Sequence, residues 1–122
     1  MTEVLRVMIV DDNPRTRSAL AAYISGLPGT TVVGEAFDGQ DAIDKLQACA
    51  PDVVLMDWRM PRMTGTEATR IIKPRWPHIK VVILTLYPDC QAEARSAGAD
   101  AVLLKGCSWT DMTSTLRSFA GH

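Results

Sequence analysis

Short apolar segments rich in Val, Ile and Leu recur along this chain and alternate with segments whose apolar residues have helical spacing. The apolar segments are Leu5–Val10, Thr31–Ala36, Val53–Met56, Lys80–Thr85 and Ala101–Lys105. Apolar strands that alternate with helices are typical of a parallel sheet covered by helices on both faces. No linker, repeat or low-complexity stretch divides the chain. The 122 residues therefore predict a single, doubly wound α/β domain.

Individual residues indicate where some of the helices begin and end. Asn13 followed by Pro14 predicts the start of the first helix, because Asn caps a helix N-terminus and Pro suits its first turn. The third helix is predicted to direct Ala68, Ile71 and Ile72 towards the sheet. We expect Pro74 to interrupt that helix, since proline has no backbone N–H to donate.

Composition and charge exclude several classes of protein. The net charge of −1 lacks the basic excess of a general nucleic-acid binder, and no apolar run approaches the roughly 20 residues of a membrane span. The N-terminus has no signal-peptide pattern. Cys49, Cys90 and Cys107 are scattered and lack metal-ligand spacing, which favours a reducing cytoplasm. His78 and His122 lie near no cluster of ligands, which disfavours zinc. We expect a cytoplasmic protein without a membrane anchor.

Polar residues stand at the carboxyl ends of four of the five predicted strands. Asp11 and Asp12 follow the first strand, Asp57 follows the third, Thr85 ends the fourth and Lys105 ends the fifth. The carboxyl ends of parallel strands meet at one edge of the sheet, so we expect these side chains to lie together. Three converging carboxylates repel each other unless a cation intervenes, and oxygen ligands alone favour Mg²⁺ or Mn²⁺. A divalent cation, an ammonium group and a hydroxyl around one carboxylate suit a transferring phosphoryl group.

Each of these residues also has a plainer interpretation. Consecutive aspartates before a helix often serve its N-terminus, a threonine can end a strand through β propensity, and a lysine after a strand is usually solvated. Those separate roles do not explain why all of them occur at the same edge of the sheet and in this order. We therefore interpret the five residues as one site.

The same residues, with Pro61 and Gly65 after Asp57, resemble the receiver (CheY-like) domain of bacterial two-component response regulators. The resemblance covers essentially all of residues 1–122. It implies a flavodoxin-like fold, in which a five-stranded parallel sheet has the strand order 2-1-3-4-5 and helices on both faces.

By this resemblance Asp57 is the phosphoacceptor, which takes a phosphoryl group from the phosphohistidine of a sensor histidine kinase. Mg²⁺ (or Mn²⁺) would be held by Asp12, Asp57 and the main-chain carbonyl of Arg59, with Asp11 acting mostly through water. The domain would catalyse only its own phosphorylation and dephosphorylation, and would not otherwise be an enzyme.

The resemblance also implies that Thr85 and Lys105 bind the phosphoryl oxygens and that Thr85 moves towards them as the switch. The family usually has Tyr or Phe three residues before the lysine, where this chain has Val102, whose single torsion is stiff. Tyr87 could replace that aromatic ring by covering the site, or could be an ordinary surface residue, which the sequence favours. Arg59, two residues after the acceptor, lies close enough to influence hydrolysis of an acyl phosphate.

Gly106, which follows the lysine where many receivers have proline, is common in the NarL/FixJ (LuxR-type) subfamily. The segments Gly98–Ala101 and Leu103–Gly106 also resemble that subfamily. Its members carry a C-terminal helix-turn-helix domain, so the resemblance implies the N-terminal part of a longer transcriptional regulator that contacts DNA only through that domain. Homodimerisation on phosphorylation is a further expectation from the family.

Other interpretations remain open. The chain could be complete and act by docking a partner, or could be a pseudo-receiver that is never phosphorylated, an alternative that Val102 keeps open. Aspartyl-phosphate phosphatases on a similar sheet typically have a second Asp two residues after the nucleophile, where this chain has Arg59. A nucleotide- or flavin-binding module would have a Gly-rich first turn, whereas the segment Asp11–Pro14 is acidic.

Overall fold

The computed structural model describes residues 4–120, and His122, for which the sequence disfavours a role in a zinc site, lies outside this range. Strands and helices alternate along the described residues in the following order: β1 (Leu5–Val10), α1 (Pro14–Ser25), β2 (Thr30–Ala36), α2 (Gly39–Cys49), β3 (Val53–Asp57), α3 (Gly65–Arg75), β4 (Lys80–Thr85), a 3₁₀ turn (Pro88–Cys90), α4 (Gln91–Ser96), β5 (Ala101–Leu104) and α5 (Trp109–Ser118). Within residues 4–120, none of the helices combines the length and apolar character needed to cross a bilayer.

The five strands form one parallel sheet in the order β2-β1-β3-β4-β5, which confirms the predicted α/β class and strand order. Parallel neighbours cannot be joined by tight hairpins, so a helix crosses over between each pair of successive strands. The chain passes from β1 to β2 on one side and then, through α2, to β3 on the other side of β1. The sheet therefore has its switch point between β1 and β3, where open α/β sheets bind ligands.

Two apolar cores cover the two faces of the sheet. Helices α1 and α5 pack on one face through Leu20, Ile24, Met112 and Leu116. Helices α2, α3 and α4 pack on the other through Ala42, Leu46, Ala68, Ile72 and Ala94. All five residues of β3 are buried, which accounts for its uninterrupted apolar sequence up to the terminal carboxylate.

Two expectations for the third helix are wrong. Pro74 lies inside α3 and does not interrupt it, because it occupies the last turn, and the helix still closes with a hydrogen bond from the Trp76 N–H to the Ile72 carbonyl (2.8 Å). Ile71 is exposed, because Ala68 and Ile72, four residues apart, occupy the stripe that faces the sheet. The apolar spacing predicted the helix correctly, but it assigned Ile71 to the buried face, where the structure does not place it.

Candidate functional site

The carboxyl edge of the sheet brings together the five residues that the sequence singled out. Asp57 is the last residue of β3, Asp11 and Asp12 follow β1, Thr85 ends β4, and Lys105 directly follows β5. Single carboxylate oxygens of the three aspartates all lie within 4.8 Å of one another. The predicted convergence of these side chains is therefore observed, and it follows from the strand order.

Lys105 reaches the central carboxylate directly. Its Nζ lies 3.0 Å from Oδ1 of Asp57, and the side chain of Asp57 is almost fully buried. The main chain holds both residues in place, since the Lys105 N–H donates to the Thr85 carbonyl (2.7 Å) and the Trp58 N–H donates to the Leu84 carbonyl (2.8 Å). The ammonium group thus sits beside the carboxylate through strand pairing and does not depend on a flexible loop.

Burial is the main influence on the Asp57 carboxyl group, and it raises the pKa of Asp57 above its ordinary value. The hydrogen bond and positive charge of Lys105 act in the opposite direction, whereas the negative charges of Asp11 and Asp12 raise the pKa further. The site therefore holds more negative charge than Lys105 alone compensates.

Asp11 provides a test of whether this site suits a cation. Burial raises the pKa of Asp11, and the Asn13 N–H, which donates to Oδ1 (2.8 Å), offsets this only in part. The other oxygen, Oδ2, is buried and has no hydrogen-bond partner among the described residues. An unpaired carboxylate oxygen beside two further carboxylates suits a hard divalent cation, which prefers oxygen ligands. The residues present thus fit Mg²⁺ or Mn²⁺.

A cavity of about 300 Å³ opens beside the acceptor. Its wall is formed by Asp12, Asp57, Arg59, Thr85, Leu86, Tyr87 and Lys105. The wall combines acidic, cationic and hydroxyl groups, and the cavity is large enough to admit a phosphoryl group next to the Asp57 carboxylate.

Residues 7–117 match the family model of the response regulator receiver domain. This chain belongs to that family. The match favours the receiver over the phosphatase and the nucleotide-binding module among the alternatives above.

Relatives and solved structures place this receiver domain near the LuxR/NarL type. It is 38% identical over 115 residues to the response regulator protein VraR of Staphylococcus saprophyticus, a match that covers 93% of this chain and 55% of VraR. The chain thus spans about half the length of that relative. The signal receiver domain of NarL from Mycobacterium tuberculosis has a TM-score of 0.89 at 31% identity, with 98% of this chain and 99% of that chain covered. A DNA-binding response regulator of the LuxR family from Staphylococcus aureus has a TM-score of 0.87 at 27% identity, with 95% of this chain and 98% of that chain covered.

The receiver domain also contains a cluster at the mouth of the cavity that sequence reasoning did not find. The Arg59 Nη1 donates to the Tyr87 hydroxyl (2.7 Å), and the Tyr87 ring packs edge-on against the Trp58 ring, with 5.5 Å between centroids. Tyr87 is 38% exposed, as the sequence favoured, and it also forms part of the cavity wall. Val102 is buried in β5 opposite Ile83 of β4 and does not line the cavity. The contact between Arg59 and Tyr87 could not be predicted from the spacing or the type of the two residues, because 28 positions separate them.

Proposed function

We propose that Asp57 of this receiver domain accepts a phosphoryl group from the phosphohistidine of a sensor histidine kinase. The observation that carries the proposal is a buried carboxylate that has an ammonium group at 3.0 Å and opens into a cavity of about 300 Å³. An Asp57 oxygen attacks phosphorus, the bond between phosphorus and the imidazole nitrogen breaks, and a new P–O bond forms. Burial leaves the attacking carboxylate poorly hydrated, so little solvent has to be displaced before the reaction.

The other residues of the site bind the group that is transferred. Lys105 pairs with a phosphoryl oxygen, and the Thr85 hydroxyl donates to another. Mg²⁺ would be held by Asp11 (mostly through water), Asp12, Asp57 and the main-chain carbonyl of Arg59, and when bound it supplies positive charge that offsets the negative charge of the carboxylates and of the phosphoryl group. The Oδ2 atom of Asp11, which is buried and has no hydrogen-bond partner within residues 4–120, supports this assignment.

The first test is the intact mass of the protein after incubation with acetyl phosphate, with and without Mg²⁺. We expect a gain of one phosphoryl group that requires Mg²⁺, is absent in Asp57→Asn and is retained in Asp44→Asn, whose carboxylate is exposed on α2. A gain that persists in Asp57→Asn would assign the phosphoryl group to another residue. No gain at all, with Mg²⁺ binding demonstrated separately, would favour the pseudo-receiver.

We further propose that residues 1–122 form one domain at the N-terminus of a longer, cytoplasmic transcriptional regulator, which contacts DNA through a separate output domain and dimerises on phosphorylation. The support is the family match, the 55% share of VraR that the chain covers, and the LuxR-type relatives. The native gene product should be longer than 122 residues, and its affinity for promoter DNA should rise on phosphorylation. Analytical ultracentrifugation with and without acetyl phosphate tests dimerisation. A native product of 122 residues would instead favour the stand-alone docking module.

A further inference from the structure

Tyr87 is fixed by two polar groups that both face the acceptor. Its backbone N–H donates to Oγ1 of Thr85 (2.9 Å), and its hydroxyl oxygen accepts a hydrogen bond from Nη1 of Arg59 (2.7 Å). Thr85 and Arg59 both belong to the wall of the cavity beside Asp57. A group that accepts hydrogen bonds in this cavity therefore competes with the Tyr87 hydroxyl for Arg59 and can also accept a hydrogen bond from the Thr85 hydroxyl.

The ring that Tyr87 packs against is held independently of the cavity. Trp58 directly follows the acceptor in sequence, and its Nε1 donates to Oγ1 of Thr66 (3.1 Å), which is fully buried. The two rings meet at an interplanar angle of 63°. Tyr87, on the loop after β4, is more than one-third exposed. Of the two rings, Tyr87 is therefore the one that is free to move.

A phosphoryl group on Asp57 presents charged oxygens to the groups that hold Tyr87. The Arg59 guanidinium is a cation, and it can form two parallel hydrogen bonds and a charge pair with phosphoryl oxygens, whereas the Tyr87 hydroxyl offers it one neutral acceptor. The Thr85 hydroxyl accepts from the Tyr87 N–H, and its own proton has only a long contact of 3.5 Å to the Tyr87 carbonyl. That proton is therefore available to a phosphoryl oxygen, and rotation of the Thr85 side chain about χ1 towards that oxygen withdraws Oγ1 from the Tyr87 N–H.

We propose that Tyr87 transmits phosphorylation of Asp57 to the protein surface. Arg59 transfers its hydrogen bond from the Tyr87 hydroxyl to a phosphoryl oxygen, and Thr85 stops accepting from the Tyr87 N–H and donates its own proton to another phosphoryl oxygen. The released ring then leaves Trp58. The exposed connection between β4 and α4 then changes shape without any movement at Val102. The inference rests on the proposed function, because it requires a phosphoryl group on the acceptor.

Tyrosine-specific fluorine NMR tests this proposal, because the chain contains two tyrosines, Tyr23 and Tyr87. Protein labelled with 3-fluorotyrosine gives one signal for each, and Tyr23→Phe assigns them. Tyr23 serves as the internal control, since its hydroxyl bonds to Thr113 and to the Trp109 carbonyl, both in α5. With Mg²⁺ and acetyl phosphate we expect the Tyr87 signal to shift in proportion to the phosphoryl occupancy, measured by intact mass in the same samples, and the Tyr23 signal to stay in place.

Two further measurements separate release of the ring from a direct effect of the phosphoryl charge. The nuclear Overhauser effect between the rings of Tyr87 and Trp58 should disappear on phosphorylation. Arg59→Ala, which removes the hydroxyl anchor, should move the Tyr87 signal part of the way before any phosphorylation. Arg70→Ala, which removes an exposed arginine of α3, should leave the signal unchanged.

The outcomes distinguish this inference from the proposed function. A phosphoryl gain by mass, with an unchanged Tyr87 signal and a retained Overhauser effect to Trp58, would overturn the inference and leave the proposed function intact. No gain in mass would overturn the proposed function and this inference with it.

Discussion

Asp11 illustrates, at the scale of one residue, how burial sets the requirements of the site. Its Oδ1 accepts the Asn13 N–H, whereas its Oδ2 is buried and has no hydrogen-bond partner among residues 4–120. One carboxylate oxygen of Asp11 lies within 4.8 Å of oxygens of the other two aspartates. Burial disfavours the charged form of the group and raises the pKa of Asp11. The carboxylate that suits a cation therefore also destabilises the metal-free fold.

We expect Asp11→Asn to stabilise the metal-free protein at neutral pH by about 1 kcal/mol, or roughly 4 °C in Tm. Because the pKa of Asp11 is raised in the folded state, the folded protein binds more protons than the unfolded chain over the interval between the ordinary and the raised pKa. The wild-type protein loses stability as pH rises through that interval, and the full loss persists above it. The advantage of Asp11→Asn should therefore be small in acid and grow with pH.

Thermal unfolding in a chelator across pH measures this difference, with Asp44→Asn on the exposed face of α2 as the control. Excess Mg²⁺ should reduce or reverse the advantage of Asp11→Asn, because the cation stabilises the wild-type site by mass action. If Asp11→Asn and the wild-type protein differed in Tm by the same amount at every pH, titration of Asp11 would not be the cause of the difference in stability.

At the scale of elements, the junction between β3 and α3 holds the acceptor through its main chain. The Gly65 N–H donates to the Trp58 carbonyl (2.7 Å), and a Cβ on Gly65 would lie 2.6 Å from the Asp57 carbonyl oxygen. Thr64 and Glu67 form a reciprocal capping box at the same point, so α3 begins against the end of β3. This capping pattern, a threonine followed three residues later by a glutamate, is present in the sequence.

Gly65→Ala should lower the free energy of unfolding by about 2 kcal/mol, because a backbone atom within 2.6 Å cannot yield as a flexible side chain does. The displaced main chain of Asp57 should also slow phosphorylation by acetyl phosphate. Gly26→Ala is the matched control, since its Cβ would lie 3.5 Å from the nearest atom, an ordinary contact. Urea unfolding and the rate of mass gain measure both effects, and equal behaviour of the two variants would contradict the proposed steric contact.

At the scale of the whole molecule, one sheet carries two separate cores. Ile72 of α3 is fully buried on one face, and Leu116 of α5 is 1% exposed on the other. Trp76 packs against the first core, and Trp109 stacks on Tyr23 beside the second. Because both cores rest on the same strands, neither face can lose its helices without exposing the sheet.

Ile72→Ala and Leu116→Ala should each cost about 2–5 kcal/mol and leave unfolding two-state. In variants that retain only Trp76 or only Trp109, fluorescence should report the same urea midpoint for both faces, because the sheet makes the domain one cooperative unit. Separate midpoints for the two reporters would show that the faces unfold independently. The exposed Ile71, replaced by Ala, is the control and should cost much less than Ile72→Ala.

The sequence by itself determined the α/β fold class. Continuously apolar strands are buried on both faces of a sheet, so helices must cover both faces, and the sequence places a helical segment after each strand. It also determined the composition of the site, since Asp11, Asp57, Thr85 and Lys105 each end or follow a strand, and parallel strands end at one edge. The end of α3 was misjudged, because the cost of Pro74 depends on its place in the last turn and not on its presence in the helix.

Only the tertiary structure decided how these residues are arranged in space. It set the 3.0 Å contact between Lys105 and Asp57 and brought Arg59 to Tyr87 across 28 positions. It also left Oδ2 of Asp11 without a hydrogen-bond partner in the part of the chain that the structure describes. Such contacts depend on which loops meet above the sheet and on which rotamers the neighbouring side chains leave free. The order of residues in the sequence specifies which strand a residue follows. Packing between segments that are distant in sequence decides which loops come into contact and which rotamers their side chains adopt.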